Sequence, residues 1–275
     1  MATLLALDSV ALESGSPTLT LSLNHGRSVG VYGAGNAAKS DFLLMVGGRL
    51  SPATGKAIAK PSAYSELPDL GKRATPLTLA KELAGASGAT RAAEALAALR
   101  LWDERKSLVS NLTLEQKTAC SLLPVLAGSE KLLLIDGVLD RLDPWTLSST
   151  FELISHRLRE GAALVVSTNR PEWASRFDTL VVLDQRRIAF VGSMRDLERK
   201  EPTSEVVVET SDQQGVRALT DPFEFTVEES DQGICYRAAE GQALAAKLLV
   251  EGYGDIKSVV LRRPDAATLL RNLLS

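Results

Sequence analysis

The chain is poor in the residues that would place it outside a reducing compartment or inside a membrane. Only two cysteines occur in 275 residues, Cys120 and Cys235. They lie far apart, each in an apolar setting, which excludes a disulfide framework and leads to the expectation of reduced, cytoplasmic surroundings. The two histidines, His25 and His156, build no metal constellation. His25 stands in a turn before Gly26 and His156 in a helical pattern, and both read as surface residues. No apolar run approaches about 18 residues, so no segment reads as a membrane span. Residues 1–9 lack a basic region and read as a first strand rather than a secretion signal. A net charge of −3 leaves no broad basic face, which argues against nucleic acid as a partner. Aromatics make up 5% of the chain, and none falls in residues 1–31.

What is present is organised around Gly30–Ser40, Gly-Val-Tyr-Gly-Ala-Gly-Asn-Ala-Ala-Lys-Ser. It follows an alternating apolar run and precedes Phe42-Leu-Leu-Met-Val, which reads as a helix. Strand, Gly-rich turn ending in Lys-Ser, and helix make a phosphate-binding loop, in which backbone N–H groups and the helix N-terminus hold phosphate oxygens. Gly33, Gly35, Asn36, Ala37, Ala38, Lys39, Ser40 and Asp41 are the candidate nucleotide-binding residues. Lys39 would reach the outer phosphates and Ser40 would ligate Mg²⁺. The full pattern has Gly immediately before the Lys, where the backbone passes close to a phosphate; here it is Ala38.

Residues 2–8 and 18–23 alternate with period two, as half-buried strands do. The helix after Ser40 is expected to end near Gly47-Gly48, and 57–64 reads as short strands broken at Pro61. Residues 78–85 and 89–100 are helical by composition and spacing and look like part of an inserted helical subdomain, about 68–127. Thr113 with Gln116 three residues on forms a capping-box pattern opening a helix that is expected to run through Leu122–Ala127. Lys131–Asp136 is a buried parallel strand with a carboxylate at its C-terminal edge, where open α/β sheets place ligands. A helix over 144–159, a strand from 162 and a hairpin over 180–191 follow. Beyond a polar linker the pattern is strand 205–209, helix, strands 222–227 and 233–238, helix 239–250, strand 256–262 and helix 264–274, close to a split βαββαβ unit. The expected organisation is α/β: a nucleotide-binding domain over 1–199 and a small α+β domain over 200–275.

With these motifs in order, residues 3–195 resemble the ATP-binding subunit of an ABC transporter, a P-loop NTPase with an inserted helical subdomain. Gly33–Ser40 matches the phosphate loop with one departure. Leu112-Thr-Leu-Glu-Gln116 stands where that family has its Leu-Ser-Gly-Gly-Gln signature. Leu132–Asp136 is similar to the strand whose Asp positions the Mg²⁺ shell, and Leu142-Asp143-Pro144 to the Leu-Asp-Pro loop. Val165–Asn169 is similar to the switch strand and Leu183–Gly192 to the closing hairpin. The tail from Ile256 to Leu270 looks like the ending of ATPase subunits of the ABC-2 export class.

The resemblance implies hydrolysis of ATP between two subunits, and this chain departs from the family at each group beyond the loop. The Glu that polarises the attacking water is replaced by Gly137, so no catalytic residue is assigned. The switch His is replaced by Asn169. In the signature Thr113 keeps a hydroxyl and Gln116 stays, but Leu114 and Glu115 replace two glycines, and a carboxylate there should repel the partner's phosphate. No aromatic in 1–31 stands where the family stacks adenine. Glu66 occupies the place of the loop glutamine. Retained are Lys39, Ser40, Asp136 and Asp143, with Ser40, Asp136 and Glu66 as the Mg²⁺ shell; Asp143 reads equally as the cap of the helix that follows it. The expected protein is a degenerate ATPase subunit using ATP and Mg²⁺ as ligands. It would be peripheral on the inner face of the cytoplasmic membrane, beside a membrane permease and, as a heterodimer rather than a homodimer, a second intact ATPase. A slow but active transport ATPase and a nucleotide-free scaffold with the same fold are the alternatives.

Overall fold

The computed structural model describes residues 3–274 except 36, 67–73, 86–87, 201–203, 221–222, 224, 231–232, 253–255 and 263. The described chain forms two compact units, 1–193 and 194–273, each built on its own core.

The first unit opens with β1 (Thr3–Ala11) and β2 (Leu19–Asn24), then β3 (Ser28–Gly33), α1 (Lys39–Val46), β4 (Thr54–Ala59) and β5 (Ser62–Tyr64). Four helices follow: α2 (Pro76–Ala84), α3 (Ala89–Ala98), α4 (Leu114–Cys120) and α5 (Leu123–Ala127). The chain returns through β6 (Leu132–Asp136), α6 (Pro144–Arg159), β7 (Ala163–Ser167), β8 (Thr179–Asp184) and β9 (Arg187–Gly192). The main sheet has the order β5-β6-β7-β3-β8-β9, parallel except for the terminal β8–β9 hairpin. A separate antiparallel sheet runs β2-β1-β4.

Continuous apolar runs make the central parallel strands. Leu132–Ile135 and Ala163–Val166 are buried throughout, as expected of strands covered on both faces. Helix α1 buries Phe42, Leu43, Met45 and Val46, and these share one core with Leu5 and Leu7 of β1 and with the main-sheet strands. This packing holds the N-terminus of α1 at the C-terminal edge of β3, with Asp136 at the same edge of β6, two strands away in the sheet.

One expected helix is divided. Rather than running from 114 through 127, the chain breaks at Ser121-Leu122 into α4 and α5. Pro124 is the cause: it has no N–H to donate to the carbonyl four residues back and its ring crowds that turn. The C-terminal carbonyls of α5 are then capped from outside. Arg157 of α6, buried at 2% side-chain exposure, donates from Nη1 to the carbonyls of Val125 (3.2 Å), Leu126 (3.0 Å) and Gly128 (2.8 Å), and from Nη2 to that of Glu130 (2.7 Å). One guanidinium thereby ties the end of the helical subdomain to the sheet side of the unit.

The second unit holds α7 (Met194–Lys200), β10 (Ser204–Thr210), α8 (Gln213–Thr220), β11 (Phe225–Ser230), β12 (Gly233–Ala238), α9 (Gly241–Glu251), β13 (Ile256–Arg262) and α10 (Ala266–Leu273). Its sheet order, β11-β12-β10-β13, is antiparallel throughout and is that of a split βαββαβ unit. Val206, Val208, Ile234 and Tyr236 pack on one face against Val216 of α8 and Leu244 and Leu248 of α9. Residues 194–200 fall with this unit rather than with the nucleotide-binding domain, because α7 touches α10.

Arg157→Met should remove four hydrogen bonds, three of them buried, and cost about 3 kcal/mol. All three tryptophans, Trp102, Trp145 and Trp173, lie in the first unit, so urea unfolding followed by tryptophan fluorescence reads that unit alone. A loss below about 1 kcal/mol would show that the tether does not hold the subdomain.

Candidate nucleotide site

The loop is shaped by close approach at its start and by an unusual residue at its end. Gly33 adopts φ +155°, and a Cβ there would lie 2.4 Å from the Leu183 carbonyl oxygen and 2.6 Å from the Ala37 Cβ. Only glycine fits. Ala34 and Gly35 are exposed, whereas Ala37 is fully buried in the core and anchors the loop. Asn36 lies outside the described residues. Ala38, at the position where the phosphate-loop pattern has glycine, is left-handed at φ 63°, ψ 35°. An L-residue with a Cβ is strained there by about 1–2 kcal/mol.

Lys39 Nζ turns back onto the loop. It donates to the Gly33 carbonyl at 2.6 Å, to the Ala34 carbonyl at 3.0 Å and to Asn169 Oδ1 at 3.0 Å. Desolvation lowers its pKa, and the nearby Asp140 and Asp136 carboxylates oppose that shift. The structure thus brings the loop lysine and the residue at the switch position together across 130 residues of sequence. Ser40 is exposed, and Asp41 is ion-paired with Arg186 of the β8–β9 turn at 2.8 Å.

Asp136 is engaged on all sides. Tyr64 donates its hydroxyl to Oδ2 at 2.8 Å, Ser167 donates to Oδ1 at 2.5 Å, and the Asp136 N–H donates to Ser65 Oγ at 2.9 Å. The strand order explains this. Tyr64 and Ser167 end the two strands that flank β6, and Asp136 stands opposite Ser167 in register. Burial, and then the bond to Asp136, raise the Tyr64 pKa, so the phenol stays a donor at any physiological pH. Hydrogen bonds to a charged acceptor contribute about 1.5–3 kcal/mol each.

Glu66 stands apart from the Mg²⁺ role that its position suggested. Its carboxylate meets Arg49 at 2.6 Å, and the same guanidinium lies 5.0 Å over the Tyr64 ring. As they stand, the residues of the implied Mg²⁺ shell do not fit a metal site: both Asp136 oxygens accept from hydroxyls, and the Glu66 carboxylate is paired with Arg49. Among the described residues, no group of three His, Cys, Asp or Glu side chains could hold an ion. His25 bonds the Gly161 carbonyl, and His156 is half-exposed near Glu160.

The residue after Asp136 is Gly137, left-handed at φ +65° with open space where a Cβ would point. Asp140, a nearby acid, is committed elsewhere. Its carboxylate accepts from the Thr168 hydroxyl at 2.6 Å and from the Asn169 N–H at 2.8 Å, while its carbonyl accepts from Arg170 at 3.1 Å. Lys39, Asn169 and Asp140 thus form one bonded chain from the loop through the switch position to the segment before Asp143.

The signature residues sit at a different face. Thr113 caps α4, accepting from the Gln116 N–H at 3.2 Å, while the Gln116 side chain accepts from the Thr113 N–H at 2.9 Å, which is the capping box that the spacing suggested. Leu114 is 81% exposed and Glu115 is exposed. Asp143 caps α6 through the Trp145 and Thr146 N–H groups at 3.0 and 3.1 Å, and bonding to Thr146 first of all holds its carboxyl below the usual range. Glu115, Gln116, Asp140 and Asp143 share the lining of a cleft of about 380 Å³. Tyr64, Ser167 and Arg49 are the site residues that the motifs did not single out. Once β5 and β7 are known to flank β6, the hydroxyls at their ends become visible from register alone.

No family model matches the chain. The methionine import ATP-binding protein MetN 1 of Pseudomonas fluorescens strain Pf0-1 is 29% identical over 223 residues, which is 70% of this chain and 67% of that protein. The energy-coupling factor transporter ATP-binding protein EcfA of Carboxydothermus hydrogenoformans is 31% identical over 103 residues, 37% of this chain and 38% of that protein. A solved ATP-binding subunit of an ABC transporter superposes with a TM-score of 0.61 at 23% identity, covering 72% of this chain and 93% of that one. An inward-facing, metal-chelate type ABC transporter gives 0.59 at 15% identity, covering 86% and 97%. The fold is that of a P-loop NTPase of the ABC ATPase type. The chain is a homologue of the ATP-binding subunits of ABC transporters.

Ala38→Gly should relieve the left-handed strain and stabilise the first unit by about 1 kcal/mol. Tryptophan-monitored urea unfolding reads the gain; an unchanged or lower midpoint would mean that Ala38 is not strained.

Proposed function

We propose that the chain is a nucleotide-binding subunit of an ABC transporter complex that responds to ATP without turning it over at the rate of an intact ATPase. The observation that carries this reading is Gly137, which offers no side chain beside Asp136 to accept a proton or orient water. Among the described residues, the two nearby acids are otherwise engaged: the Asp140 carboxylate accepts from Thr168 and Asn169, and Glu66 pairs with Arg49. The switch position carries Asn169, already bonded to Lys39. Exposed Leu114 and Glu115 at the signature would face a partner's phosphates with a carboxylate rather than with glycine backbone. With both halves of a composite site altered, pairing with a second, intact ATPase explains the sequence better than pairing with itself.

The other partner is a membrane permease, with the chain held at the cytoplasmic face of the membrane. No helix among the described residues is long and apolar enough to cross one. On the direction of transport, the supports diverge. The tail from Ile256 resembles the ABC-2 export class, whereas the MetN relatives carry import in their names. The proposal concerns the subunit and holds for either direction.

A second reading, a scaffold that takes no nucleotide, is favoured by one feature. Lys39 is satisfied by its own loop, and the strained Ala38 puts a Cβ where a phosphate would approach.

The test is to incubate the purified chain with radiolabelled ATP, remove the excess, and analyse what is bound and what is released. Bound nucleotide recovered as ATP, with phosphate release at background, is the expected result. Steady turnover on the order of 10 s⁻¹, typical of enzymes, would contradict the proposal. Recovery of no nucleotide would select the scaffold.

A further inference from the structure

The described acids that a phosphate-bound divalent cation would draw on are already engaged by this chain's own side chains, Asp136 by two hydroxyls and Glu66 and Asp41 by arginines. Magnesium binds through carboxylates and retained waters in a nearly ideal octahedron, and it needs carboxylate lone pairs turned toward it. At Asp136, Oδ1 faces the Ser167 hydroxyl and Oδ2 the Tyr64 hydroxyl. Each directs the positive end of an O–H dipole at an oxygen that the cation, or its water, would use. Glu66 is held by Arg49, and that guanidinium also lies over the Tyr64 ring. Asp41, next to Ser40, is held by Arg186.

The phosphate-neutralising charge that remains is Lys39. Its partners are two loop carbonyls and the Asn169 side-chain oxygen, all neutral acceptors that an anionic phosphate would outcompete. We propose that the site binds nucleotide phosphates through Lys39 and the loop without a divalent cation held by the protein, Tyr64 and Ser167 being the groups that keep Asp136 out of metal coordination. This inference rests on the nucleotide-binding reading above. Tyr64 and Ser167 act through Asp136 and are positioning residues.

The experiment compares ATP titrations of the full chain in excess MgCl₂ and in EDTA, for the native chain, Tyr64→Phe and Tyr64→Phe/Ser167→Ala. Tyr64→Phe keeps the ring under Arg49 and removes only the hydroxyl. In the native chain the two dissociation constants should agree within about threefold. In the double variant, with both Asp136 oxygens freed, MgCl₂ should tighten binding about tenfold or more over EDTA. Native binding that weakens about tenfold in EDTA would overturn the inference and leave the nucleotide-binding reading standing. A double variant as indifferent to Mg²⁺ as the native chain would also overturn it, because the clamp would then not be what excludes the metal. An absence of binding in both buffers would overturn the nucleotide-binding reading, and the inference with it.

Discussion

The structure depends on how the chain deals with one cation at the mouth of its loop. Lys39 opens α1, where the helix N-terminus already carries partial positive charge and unpaired N–H groups. Burial of the ammonium penalises it, and the chain answers with three neutral oxygens: two loop carbonyls and the Asn169 amide. The rest of the site follows from that choice. Asn169 is held from behind by Asp140, which also binds Thr168, so hydrogen bonds join the loop, the switch segment and the stretch leading to Asp143. An anion entering the loop would take Lys39 from Asn169 and open that chain of bonds.

The acids around the loop show a consistent pattern of compensation. Asp136 is met by two hydroxyls, Glu66 by Arg49, Asp41 by Arg186, and Asp140 by a hydroxyl and an N–H. In an open α/β sheet these carboxylates stand at the edge where ligands bind. Here their charge is spent within the chain. That is compatible with binding a phosphate through Lys39. The second unit is a complete βαββαβ fold with its own core, a scaffold that by itself assigns no function.

Much of this was legible in the sequence because it lies in local patterns. The apolar run ending at Asp136, the Gly-rich turn before Lys39 and the Thr113–Gln116 capping box are each short-range signals. The alternation of the C-terminal strands gave their order because hairpins and crossovers follow simple rules. What could not be read depends on partners far apart in the chain. Tyr64 reaches Asp136 across 72 residues, and Arg157 reaches Gly128 across 29. The family resemblance puts Glu66 in the Mg²⁺ shell, and nothing local to it in the sequence shows the ion pair it makes with Arg49. Helix continuity through Pro124 was overestimated because helical composition on both sides masked one missing N–H. The left-handed backbone at Ala38 leaves no trace in composition: the sequence shows only that glycine is absent there, not what its absence costs.

The claim on which all of this turns is that the loop still engages phosphate through Lys39. Calorimetric titration of ATP into the native chain and into Lys39→Ala tests it most directly. The account expects saturable binding by the native chain and a loss of about tenfold or more in the variant, the energy of one charge-assisted contact. Binding of equal strength in both proteins, or no heat from either up to millimolar ATP, would contradict it.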